Sequence, residues 1–282
     1  MKVLVTGATG FIGNYVVEEL LRRRRNVIAS SSNEQKASKT EWYGKIIYIP
    51  FDLENFDDSI NYYEFFDRPD IHIHLAWEGL PNYKSSFHEE INLPRHFAFL
   101  TNLIRNGLTD LTVTGTCFEY GMQEGNLKED MAARPGNPYG RAKDRLRKEL
   151  EKLKDQYDFS FKWVRLFYMY GKGQNANSLL SQLEKALAEG EEVFNMSGGE
   201  QVRDFLPVSV VAENIVKISL QKKVEGIINN SSGEPVTVKS FVESYLQKIN
   251  KRIILNLGFY PYPDYEPMAF WGDTTKLKKV LY

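Results

Sequence analysis

Tyr139 and Lys143, four residues apart in YGRAK, form the pair in this chain best suited to moving a proton. On a helix, positions i and i+4 share a face, so the phenol and the ammonium stand together. A neighbouring cation favours the phenolate and lowers a pKa that is ordinarily about 10. Such a tyrosine exchanges a proton with a carbonyl or alcohol oxygen. Thr116, upstream in VTGTCFEYG, offers a hydroxyl able to hold that same oxygen. Tyr-x-x-x-Lys alone is common on exposed helices, so the pair acquires meaning only from the elements that place it.

Those elements alternate in type. KVLVTG (2–7), NVIAS (26–30), KIIYIP (45–50), IHIHLA (71–76), LTVTG (111–115) and FKWVRLF (161–167) are strand-like, and segments of helical period such as YVVEELLRRR and FAFLTNLIRNG separate them. This alternation predicts an α/β chain, a doubly wound parallel sheet with helices on both faces. YGRAK opens a helix after the turn RPGNP, and Thr116 ends the fifth strand, at the sheet edge where ligands bind in such folds. Beyond residue 167 the pattern shifts to a smaller C-terminal α/β lobe. The expected division is a dinucleotide-binding Rossmann domain over 1–167, with a return segment near 204–233, and a substrate-binding lobe over 168–282. The tail GFYPYPDYEPMAFWGD (258–273), rich in aromatics and prolines, reads as irregular but packed.

TGATGFIG puts glycines at 7, 10 and 13 between the first strand and the first helix. Gly7 permits the tight turn, Gly10 lets backbone amides approach a pyrophosphate, and Gly13 allows close helix packing. The context satisfies the test for dinucleotide binding, so hydride transfer to or from a nicotinamide joins the proton chemistry of Tyr139. An acid ending the second strand would grip the adenosine ribose of NAD, but this chain reads Ala29-Ser30-Ser31-Ser32-Asn33. Small hydroxyls leave room for a 2′-phosphate, so both NADP and NAD stay open. RRRR (22–25) precedes the second strand, at the far edge of the sheet, and reads as a solvated helix end favoured by the dipole. Asp52, after the third strand, can accept a hydrogen bond from the adenine amino group.

Composition excludes other classes. The 282 residues carry 36 basic and 37 acidic side chains, with no basic face for nucleic acid or membrane. Cys117 is the one cysteine, and the four histidines lack ligand-like spacing, so no disulfide framework and no metal site is expected. MKVLVTG reads as a strand rather than a signal peptide, and no apolar run reaches the ~18–20 residues that span a bilayer. The expectation is a soluble, cytoplasmic, globular protein.

TGATGFIG, HLAW (74–77), Asn92, TGTCFEYG, YGRAK, VRLFYMYGKGQ (164–174) and GGEQVRDFLPV (198–208) together resemble the extended short-chain dehydrogenase/reductase family acting on nucleotide sugars. The resemblance covers residues 1 to about 240. It implies Thr116, Tyr139 and Lys143 as the catalytic triad. It also implies a cofactor site made of Gly7, Thr9, Gly10, Phe11, Ile12, Gly13, Ser30, Ser31, Asp52, Leu53, Leu75, Ala76 and Trp77, together with Tyr139 and Lys143. Thr116, Cys117, Tyr168 and Arg203 would meet the substrate, Arg203 as the forked donor to its diphosphate. Family likeness further suggests a homodimer built on the helices after Asn92 and Tyr139, where Phe97 and Phe99 suit either the interface or the core.

Departures narrow the chemistry. Related dehydratases carry an Asp-Glu pair after the strand-end hydroxyl, whereas Cys117-Phe118 stands here. Cys117 reads as a small packed side chain. Tyr168 replaces an asparagine usual in epimerases, and an arginine common in the family's later lobe is missing around PYPDY. GTCFEYGMQEG, RLFYMYGKGQN and YPYPDYEPMAFWGD are similar to a bacterial subgroup that reduces dTDP-4-keto-6-deoxyhexoses for surface polysaccharide such as O-antigen. Phe167, Tyr168, Tyr170, Tyr260, Tyr262 and Trp271 could stack on thymine. The expected activity is NAD(P)H-dependent reduction of the C4 ketone of a dTDP-sugar. The alternative is a 4-epimerase with retained NAD, and a binding protein without turnover would have lost Tyr139 or Lys143.

Overall fold

A computed structural model describes residues 1–282. Strands β1 (Lys2–Thr6), β2 (Asn26–Ser30), β3 (Ile47–Tyr48), β4 (Ile71–His74) and β5 (Asp110–Thr116) lie in the first part of the chain. They are followed by β6 (Gly125–Leu127), β7 (Ser160–Leu166), β8 (Tyr168–Tyr170), β9 (Val193–Asn195) and β10 (Val202–Pro207). The last four are β11 (Gly226–Asn230), β12 (Pro235–Thr237), β13 (Ile254–Asn256) and β14 (Phe270–Gly272). Helices are α1 (Phe11–Arg22), α2 (Glu34–Ala37), α3 (Tyr62–Phe65), α4 (Leu93–Arg105), α5 (Pro138–Leu153), α6 (Leu179–Glu189), α7 (Val208–Leu220), α8 (Val238–Lys248) and α9 (Thr275–Leu281).

Seven strands form one parallel sheet in the order β11-β7-β5-β4-β1-β2-β3. The order reverses between β1 and β4, and ligands of such sheets bind in the crevice at that switch. Alternation along β1 divides the core. Val3 and Val5 pack with Val16, Val17 and Leu20 of α1 and with Ile215 of α7. Leu4, on the opposite face, packs with Phe99 and Leu103 of α4 and with Leu146 and Leu150 of α5. Phe99 is therefore fully buried core. The edge strand β3 is shorter than the apolar run 45–50, because it pairs only with Ile28 and Ala29 on one side and Pro50 follows it.

The later lobe has its own core of Leu180, Leu183, Phe194, Met196, Val242 and Leu246. The segment that returns to the large sheet is α7 with β11, whereas β10 stays in a three-stranded sheet, β12-β10-β8. The final helix α9 also returns, since Leu277 joins the core beneath α7. The tail divides in two: Phe259 and Tyr260 are exposed, while Pro267, Phe270 and Gly272 are buried. No helix is long and apolar enough to cross a membrane.

Candidate active site

The turn from β1 into α1 shapes a cradle. Gly7 has φ +74°, and a Cβ there would lie 2.7 Å from the amide nitrogen of Ala76. At Gly13 a Cβ would sit 2.1 Å from the Gly7 carbonyl oxygen, so α1 can approach the loop only with glycine. Gly10 is the N-cap of α1 and supplies no side chain to satisfy the first helical amides. Those amides and the positive end of the dipole face outward, which fits a pyrophosphate.

Two clefts meet at this loop. One is lined by Thr9, Gly10, Ser30, Ser31, Ser32, Asp52, Leu53, Leu75, Ala76 and Trp77, together with Lys36 and Glu78. Its place beside the glycine turn at the end of the second strand suits the adenosine end of a dinucleotide. Lys36, an exposed cation of α2 that follows the second strand by six residues, adds a basic group to this lining. The Asp52 carboxylate accepts the Glu54 amide (3.0 Å) and caps a turn while lining the cleft. Arg22 and Arg23 pair with Glu19 at the other end of α1 (2.6 and 2.5 Å) and take no part.

The second cleft is lined by Gly7, Gly10, Phe11, Ile12 and Gly13, by Thr116, Cys117, Phe118, Tyr139 and Tyr168, and by Tyr83 and Glu266. Thr116 ends β5, and its hydroxyl accepts the Phe118 amide (3.3 Å) as the cap of a 3-10 turn. Tyr139 stands in the first turn of α5, where the Asn137 side chain accepts the Gly140 amide (2.8 Å) and Pro138 opens the helix. Its ring is boxed by Tyr83 (5.5 Å), His88 (5.3 Å), Trp77 (6.1 Å) and Phe118 (6.2 Å).

Lys143 lies one layer below. Its Nζ donates to the Thr114 carbonyl (3.0 Å) and sits 3.9 Å from the centre of the Trp77 ring. This corrects the expectation that the ammonium lowers the Tyr139 pKa in the free protein. Burial raises the phenol well above its ordinary range, the charges of Tyr83, Glu119 and Cys117 add to the rise, and only Thr116 opposes it. Burial also pulls Lys143 down to about 7, against the pull of Glu119. Both shifts leave the Tyr139 phenol in its protonated form at neutral pH.

Cys117 is buried, and that burial raises its thiol far above a nucleophile's range. Glu119, the acid nearest to Thr116 in sequence, faces inward. It accepts the Thr116 amide (2.8 Å), the Trp163 indole N–H (2.9 Å) and Nε of Arg165 (2.7 Å), so it cannot stand in for the missing dehydratase acid.

Arg203 is set behind the cleft wall. Nη1 donates to the carbonyls of Val202 (2.9 Å) and Met268 (3.2 Å), and Nη2 donates to Glu266 (2.9 Å). Its guanidinium rests over Phe270 (4.6 Å) and Tyr168 (5.6 Å). Glu266 was not singled out from the sequence; the aromatic tail that carries it gives no periodic signal, and only a buried arginine in need of a counter-ion points to it. Among the aromatics expected to stack on a base, Phe167 and Tyr168 line the cleft. Tyr170 packs on Phe241 (5.1 Å), while Tyr260 and Tyr262 are exposed on the lobe.

The cradle, the adenosine cleft and the tyrosine–lysine pair together define an enzyme that uses a nicotinamide dinucleotide. The chain matches the NAD dependent epimerase/dehydratase family over residues 3–230 and belongs to it. It is 29% identical over 279 residues to dTDP-6-deoxy-L-talose 4-dehydrogenase (NAD(+)) of Aggregatibacter actinomycetemcomitans, covering 96% of this chain and 99% of that one. It is also 24% identical to dTDP-4-dehydro-6-deoxyglucose reductase of Escherichia coli, over 90% of this chain and 83% of that protein. Among solved structures it resembles MoeE5 in complex with UDP-glucuronic acid and NAD, with TM-score 0.82, 26% identity, and 100% and 92% of the two chains covered.

Proposed function

We propose that this enzyme reduces the C4 ketone of a dTDP-4-keto-6-deoxyhexose to the alcohol, in deoxysugar biosynthesis for surface polysaccharide. The observation that carries the reading is the second cleft. It joins the dinucleotide cradle to a protonated Tyr139 and to Thr116, with no acid at Cys117 or Phe118 to eliminate water. Bound NADPH or NADH supplies the hydride to the sugar carbon. Thr116 holds the ketone oxygen, and Tyr139 gives that oxygen its proton as the C–O double bond becomes a single bond. Lys143, when charged, offsets the negative charge left on Tyr139 and anchors the nicotinamide ribose. Arg203 can reach the diphosphate of the substrate only by exchanging contacts with Glu266.

Likeness to a dTDP-6-deoxytalose dehydrogenase and to a dTDP-sugar reductase supports a 4-keto/4-hydroxy pair as the reacting group. A 4-epimerase with retained NAD is less well supported, because the ribose end of the cleft is lined by Ser30, Ser31 and Ser32 where a carboxylate would hold stored NAD. We further propose a cytoplasmic homodimer formed through α4 and α5.

The test incubates the protein with dTDP-4-keto-6-deoxyglucose and NADPH or NADH and follows absorbance of the reduced cofactor. Stoichiometric oxidation is expected, and Tyr139→Phe should lower turnover by about 10²–10⁴-fold while cofactor still binds. An unchanged rate in the variant, or no cofactor consumed, would overturn the assignment.

A further inference from the structure

We infer that Trp77 is a positioning residue for Lys143: its indole face seats the ammonium, and a network made of all four histidines of the chain clamps the indole. The inference rests on the reading of Lys143 as the catalytic ammonium. In its buried position Nζ donates one hydrogen bond, to the Thr114 carbonyl (3.0 Å), and lies over the Trp77 ring (3.9 Å). A buried cation needs compensation, and a desolvated indole face is among the better neutral groups for it.

The indole is held from two sides. His96 stacks on it, with centroids 4.6 Å apart and planes at 22°. Its N–H donates to Nδ1 of His88 (3.1 Å), and His88 Nε2 is bonded to the Asn82 carbonyl (2.9 Å), which fixes the tautomer that leaves Nδ1 as acceptor. Beyond His96 the network continues through His74 (2.8 Å) to the Thr6 hydroxyl (2.7 Å), which also bonds His72 (3.0 Å). Thr6 is the last residue of β1, directly before the phosphate loop.

The histidines can serve as a clamp because they stay neutral. Burial takes His72 down to about 3 and holds His74 and His96 well below their ordinary range. Burial also lowers His88, and the charge of Lys143 opposes protonation of His74, His88 and His96 alike. The charged or titratable groups around Lys143 are thus Tyr139 on its own helix, Glu119 from the turn after β5, His88 and His96 around the start of α4, and His74 on β4. Of these, Glu119 is the one that favours the ammonium, and it acts through space.

The experiment titrates Lys143 in cofactor-free protein by the 13Cε resonance of labelled lysine, for wild type, Trp77→Phe and Trp77→Leu. Leucine fills space without a π face, so its midpoint should fall by about one pH unit, tenfold in the protonation constant. Phenylalanine should fall less. An unchanged midpoint in Trp77→Leu, or equal shifts in the two variants, would overturn the inference. If Trp77→Leu does not fold, His88→Phe removes the acceptor of the indole N–H and is read against Trp77→Phe. Both should titrate below wild type, and an unshifted pair refutes the clamp. No turnover is measured, so failure of the proposed reaction leaves this test intact.

Discussion

The carboxylate of Glu119 holds the end of β5 in place, and its removal gives a sharp test of how Thr116 is positioned. One oxygen accepts the Thr116 amide (2.8 Å) and the Trp163 indole (2.9 Å), and the other accepts Nε of Arg165 (2.7 Å). Side-chain exposure is 0% for Glu119 and 1% for Arg165, so neither charge has water as a substitute partner. Glu119→Ala leaves the guanidinium over the Tyr120 ring (4.3 Å) without a counter-ion. Breaking a buried pair in this way costs about 3–5 kcal/mol, a large share of a total stability of about 5–15 kcal/mol. At about 2–4 °C per kcal/mol for a domain of this order of size, the midpoint of thermal unfolding should drop by roughly 6–20 °C. Replacing both residues, as Glu119→Leu with Arg165→Met, should recover much of that loss, since the isolated charge rather than the missing pair is the main penalty. Turnover should stay depressed in the double variant, because the Thr116 amide still lacks its acceptor. Circular dichroism melts and urea titrations read the stability. An alanine variant within about 1 kcal/mol of wild type would refute the argument.

Further outcomes concern Lys36 and Lys143. Lys36 makes no ion pair within the protein and borders the ribose end of the adenosine cleft, so Lys36→Glu should weaken NADPH by about tenfold or more in calorimetry while leaving NADH nearly unchanged. Parallel changes for the two cofactors would show that Lys36 does not meet a 2′-phosphate. The pH dependence has a definite sign: Lys143 carries its charge below about 7 in the free enzyme and loses it above. Hence kcat/KM for the reduced cofactor should fall about tenfold per pH unit above that point, and a flat profile to high pH would sink the assignment. The same depressed value means that the unfolded chain binds the proton more tightly, so the contribution of Lys143 to stability improves as pH rises from about 7 to 10.5.

The features legible in the sequence were those set by neighbours along the chain. Gly7, Gly10 and Gly13 have meaning because a strand ends just before them and a helix begins within them. Asn137 and Pro138 announce the start of α5, which places Tyr139 and Lys143 four residues apart on one helix. KVLVT is apolar on both faces, so its sequence marks a buried strand, whereas which face meets which helices is seen only in the structure. What escaped the reading depends on segments far apart: Glu266 meets Arg203 across 63 residues, and α9 returns to the first core from the end of the chain. No local period specifies such pairings. The aromatic tail illustrates the limit, since Phe270 and the exposed Phe259 belong to one compositional run.

The same distinction explains why spacing places Tyr139 and Lys143 on one helix but does not give their electrostatics. Spacing of four residues brings two side chains to one face, but it carries no information about what lies between and beneath them. Here the boxing rings of Tyr83, His88, Trp77 and Phe118 exclude water from the phenol, and the ammonium turns toward Thr114 and Trp77. Desolvation therefore outweighs the mutual influence of the pair, raising one pKa and lowering the other. For the proposed reduction that order is useful: the phenol would enter the reaction with its proton in place. In the proposed reaction the charge of Lys143 would offset the negative charge developing on Tyr139. The proposed reduction would start from the protonated phenol that burial favours, and the reverse oxidation would run through the same pair starting from the phenolate.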